Sequence, residues 1–103
     1  MEDLRNSSKP DPHDDKALSV TIRTPAGISH VFEVRRHDRV DKTVRTAVSY
    51  FGGQSQLAEG AYGLALIRDG RAIDMVDSAR LEDYDVVEGD VLSLISKAPQ
   101  VDG

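Results

Sequence analysis

Cysteine is absent from this 103-residue chain, and so is tryptophan. Without cysteine there can be no disulfide staple, no thiolate metal ligand and no thiol nucleophile, and the composition suits a reducing cytoplasm. Aromatic residues make up only 5% of the sequence, so its core must be built mainly from Val, Leu, Ile and Ala. No apolar run approaches the roughly 18 residues that a membrane span needs, and the opening MEDLRNSSKPDPHDDK is far too polar for a signal peptide. The 13 Lys and Arg residues are scattered among 18 Asp and Glu, a net charge of −5. No dense cationic block is present to grip phosphates, and nucleic acid is not an expected partner. A phosphate loop, a dinucleotide fingerprint and a Ser-His-Asp set are all missing, and FGGQSQ reads as a helix end. His13, His30 and His37 lack metal-ligand spacing. The chain is expected to be no enzyme and to carry no metal or cofactor.

What remains is enough for one small domain. Residues 1–16 combine Pro10, Pro12, serines and many charges without an apolar period, which predicts a flexible tail. From Leu18 to Arg23 the sequence alternates, with Leu18, Val20 and Ile22 on one face, as a half-buried strand does. Thr24-Pro25-Ala26-Gly27 is turn chemistry, and alternation resumes from Ile28 to Val34, which makes a hairpin.

The period then changes. Val40, Val44, Ala47, Val48 and Phe51 mark the buried stripe of a helix, with Asp38 as the expected N-cap, Asp41 in its first turn and Gly52-Gly53 as its stop. Leu64, Leu66 and Ile67 run into Asp69-Gly70, a strong hairpin signal, with Ala72-Ile73 as a short returning strand and residues 74–80 as loop. Leu81 and Tyr84 suit a single helical turn, Val86 points inward, and Leu92 and Leu94 alternate along a last strand. One helix covering one face of a mixed sheet is the two-layer solution that such elements allow. The last strand fits best in its middle, parallel to the first.

Three stretches give this order a likeness. LSVTIRTPAGISHVFEV looks like the first hairpin of ubiquitin, LALIRDGRAI like its third-strand turn, and RLEDYDVVEGDVLSLI like its Leu-x-x-Tyr-x-Ile turn and Leu-x-Leu strand. Residues 18–95 thus resemble a ubiquitin-like β-grasp protein, and most of all the prokaryotic ubiquitin-like modifiers. The resemblance implies an α+β fold: a mixed four- to five-stranded sheet with one main helix, over residues 17–96, followed by a flexible tail at 97–103.

It also implies a covalent protein modifier. In that family the C-terminal glycine carboxylate is adenylated, passed to enzyme cysteines as a thioester and joined to a target amine. Gly103 is the corresponding residue here, although Asp102 stands before it where the family has a second glycine. The implied partners are activating and conjugating enzymes, a deconjugating peptidase and target proteins, with the chain itself a cytoplasmic monomer. A non-covalent interaction adaptor is the alternative, and a sulfur carrier a more distant one. Ile67, Ile95 and Ser93 on the open sheet face, with Pro25 and Ala26 at the hairpin tip and Arg68 at the rim, match the family's partner-binding patch. Lys9, Lys16, Lys42 and Lys97 are the possible acceptors for chain formation.

Overall fold

A computed structural model describes residues 16–97. The tail expected at 1–16 therefore lies outside the described residues apart from Lys16, and the tail expected at 97–103 apart from Lys97. The elements run β1 (Leu18–Arg23), β2 (Ser29–Val34), α1 (Val40–Gly53), β3 (Tyr62–Arg68), β4 (Arg71–Met75), a 3₁₀ turn (Leu81–Tyr84) and β5 (Val91–Ser96). The five strands order as β2-β1-β5-β3-β4.

The last strand is central. It pairs in parallel with β1, Ile22 opposite Leu92, and antiparallel with β3, Leu66 opposite Leu92. This is the β-grasp arrangement that the resemblance implies. Alternation explains which residues it buries. Val20, Ile22, Phe32, Val34, Leu64, Leu66, Leu92 and Leu94 all point at α1, which returns Val40, Val44, Ala47 and Phe51. Aromatic rings gather at the far end of this core, where Phe51 meets Phe32 and Tyr50 edge-on.

Three local expectations change. The N-cap of α1 is Arg39 rather than Asp38, and its side chain makes no capping bond. Carbonyls from a distant segment do that work, since the Val40 N–H donates to Ala79 O and the Asp41 N–H to Asp77 O. Asp38 instead accepts from the Arg35 N–H and pairs with Lys42 at 3.2 Å. In the first helical turn, hydrogen bonds from the Arg39 guanidinium hold the Asp41 carboxyl below the usual carboxylate range. At the other end the helix takes in both glycines, and the left-handed residue after it is Ser55. Strand β4 runs on to Met75, because Asp74 and Met75 pair with Ala65 and Leu64, and burial of Met75 favours that extension.

The turn at 81–90 is built as its sequence suggests. Leu81 and Val86 are buried, Asp85 adopts the left-handed conformation, and the Tyr84 hydroxyl accepts from the Val76 N–H at 2.8 Å. Asp90 then anchors the start of β5. One carboxylate oxygen accepts from both the Val87 N–H and the Arg68 guanidinium, at 2.8 and 2.6 Å.

Candidate functional site

The sheet face turned away from α1 is where a partner could dock, and its register arranges it in rows. One row crosses all five strands: Val31 opposite Thr21, Thr21 opposite Val91, Val91 opposite Ile67, and Ile67 opposite Ala72. It is apolar apart from the threonine hydroxyl, and Val31 at its edge is 57% exposed. The next row is polar at its flanks: Ser29, Arg23, Ser93, Ala65 and Asp74 follow one another across the same strands. A third begins where Ile95 faces Gly63.

Against this geometry the expected patch divides. Ile67 and Ile95 share the open face and are both half-buried, as alternation requires. They are not cross-strand neighbours, however. Ile67 sits opposite Val91 and Ile95 opposite Gly63, four residues along the strands, or about 13 Å. Ser93 lies between them, opposite Ala65. Pro25 and Ala26 are exposed at the hairpin tip, where they line a shallow cavity of about 190 Å³ with Gln56, Leu57, Ala58 and Tyr62. That places them toward the Ile95 end of the parallel β1–β5 pair, since Arg23 already stands opposite Ser93.

Arg68 does not rim the patch. It shares a face with Leu64 and Leu66, and its guanidinium donates to the Asp90 carboxylate and the Asp85 carbonyl. The alternation that buries Leu66 already carried that signal. Sequence reading also passed over Thr21, Val31, Val91 and Ala72, which complete the apolar row, because no single strand reveals which residues its neighbours set beside it.

Of the expected acceptor lysines, Lys9 falls outside the described residues, as does Gly103. Lys16 is exposed. Lys42 pairs with Asp38. Lys97 crosses the open face above Gly63 to reach Asp77, with Nζ and Oδ2 2.7 Å apart. A Cβ at Gly63 would lie 2.6 Å from Lys97 Cε, so glycine is what lets the lysine stem lie flat. The Lys97 N–H donates to Ala61 O, which fixes the backbone at the same point. Gly63→Ala is therefore expected to displace the Lys97 amine and break its pair with Asp77. Stability should change by less than about 1 kcal/mol, because loss of an exposed ion pair is offset by the strand's gain in replacing glycine. Faster acylation of Lys97, read by peptide mass spectrometry, would register the release.

Among the described histidines, His37 lies 3.4 Å from Glu82 and His30 stacks on Tyr50 at a ring separation of 4.2 Å. No group of three His, Asp or Glu side chains among the described residues is placed to hold a metal ion. Among the described residues no helix is long and apolar enough to cross a membrane.

No protein-family model matches the chain, and no curated protein does. Solved structures do. A protein designed de novo on ubiquitin aligns with 84% of this chain and 96% of its own, at TM-score 0.59 and 20% identity. The ubiquitin-like domain of an Arabidopsis thaliana protein aligns over 100% and 96%, at TM-score 0.60 and 14% identity. The ubiquitin of Caldiarchaeum subterraneum aligns over 84% of this chain and all of its own, at TM-score 0.56 and 19% identity. The fold is ubiquitin-like.

Proposed function

We propose that the chain is a cytoplasmic, prokaryotic ubiquitin-like modifier, activated at the Gly103 carboxylate and joined through an isopeptide bond to amines of target proteins. The observation that carries this reading is the position of β5. This strand pairs with β1 over its first three residues and with β3 along its whole length, and the Lys97 N–H just after it donates to Ala61 O, so the chain is still anchored to the body at Lys97. A ubiquitin among the structural neighbours supports the same reading. The chain would act as substrate, not catalyst. An activating enzyme would transfer AMP from ATP to the glycine carboxylate with loss of pyrophosphate, and an enzyme thiolate would then displace AMP. A target amine would finally displace the thiol, and a peptidase would reverse the last bond.

Trypsin offers a direct test. Cleavage after Lys97 leaves residues 98–103 attached to any modified lysine, a branch that peptide sequencing by mass spectrometry identifies. An N-terminally tagged chain expressed in its own cells is expected to yield such branched peptides, and the chain lacking Gly103 to yield none. If the intact chain yields none, the modifier reading fails.

The apolar side chains of the open face, Ile67 beside Val91 in one row and Ile95 in another, favour a second reading, a non-covalent adaptor. Under it, Ile67→Ala or Ile95→Ala abolishes partner binding, while removal of the last residues has no effect.

A further inference from the structure

We propose that the open sheet face is a self-association surface, on which two copies of this chain form a weak twofold dimer with Arg23 of each set against Asp74 of the other. The inference stands whether or not Gly103 is conjugated.

The pattern is its own complement. Consider a twofold axis running along the strands, in the plane between two facing sheets, above the line separating β5 from β3. It turns β1 of one copy over β4 of the other, and β5 over β3. In the apolar row Val91 then meets Ile67 and Thr21 meets Ala72. In the polar row Ser93 meets Ala65 and Arg23 meets Asp74, twice by symmetry.

Three further features agree. Arg23 and Asp74 are both exposed, and neither has an ion-pair partner among the described residues. Within one chain they stand three strands apart, about 14 Å, too far to pair with each other. The side chains between them are small, Ser93 and Ala65, so two sheets can approach to the usual spacing of about 10 Å. A crossing of about 30° between aligned sheets displaces the outer pairs by roughly one strand residue, within an arginine's reach. The four strands that overlap, about 19 Å across and about 20 Å long from ordinary strand spacing and rise, span roughly 400 Å², under the roughly 800 Å² per partner of a stable complex, which makes the dimer weak and concentration-dependent.

Sedimentation velocity on the full chain, from about 10 to about 500 μM, should show the mean mass rising from monomer toward dimer. R23D and D74R, each checked for folding by circular dichroism, should each weaken association at least about tenfold, because like charges then face each other twice. An equimolar mixture of the two should recover it, since the reversed charges again oppose. Residue-resolved NMR shifts on dilution of the unaltered chain should centre on Ile67, Val91 and Ser93. A constant monomer mass across the range overturns the proposal, as would variants that associate like the unaltered chain or a mixture that fails to recover.

Discussion

Leu92→Ala is expected to destabilise the protein by about 3 kcal/mol, near the middle of the range for deleting a fully buried leucine side chain. Leu92 has no exposure at all, and its register neighbours are Ile22 on one side and Leu66 on the other. A cavity at that point would be walled by strands already held on both edges, with little freedom to collapse. A domain of this size is stable by about 5–10 kcal/mol, so the loss would be about 30–60% of the total. Urea unfolding should show a lower midpoint with an unchanged slope. Ile95→Ala, on the open face of the same strand, is the control and should cost less than about 1 kcal/mol. Equal costs at the two positions would mean that β5 does not divide a buried face from an open one.

Phe51→Ala should be as damaging or more so, at about 3–5 kcal/mol. Aromatic residues are scarce in this chain, yet Phe51, Phe32 and Tyr50 meet within ring separations of 5.3 to 5.8 Å at the C-terminal end of α1. Phe51 is wholly buried there, on the last turn of a helix rich in valine and threonine, which are poor helix formers. The helix thus depends on tertiary packing, and removing its largest anchor should fray the end that carries it. A fall in Tm of at least about 15 °C is expected for a domain of this length. Loss of helical circular dichroism below the main transition would locate the damage in α1.

Local chemistry made most of the fold readable. Asp69 and Gly70 take positive φ values of 54° and 75°, as a two-residue hairpin turn requires, and few other residue pairs tolerate both. Leu81, Tyr84 and Val86 occupy a turn whose spacing is set within six residues. Leu92 and Leu94 announce a strand by alternation alone. What escaped the sequence was decided at long range. The carbonyls that satisfy the first turn of α1 come from residues 77 and 79, so an acid at position 38 could not reveal them. The register of β3 on β5 is fixed by how both pack on the helix, and it sets Ile67 beside Val91 rather than close to Ile95. Arg23 and Asp74 belong to strands far apart in sequence, and their common row exists only once the sheet is assembled.

The parallel pairing of β1 with β5 has a consequence for synthesis. On the ribosome the first strand emerges early and must wait for nearly the whole domain before its inner edge is covered. Until then β1 and β3 each present an unpaired edge, and the entropy of closing so long a loop has still to be met. Folding is accordingly expected as one late event once the last strand has left the tunnel, and a ribosome stalled within that strand would hold a nascent domain that chaperones and proteases can still recognise.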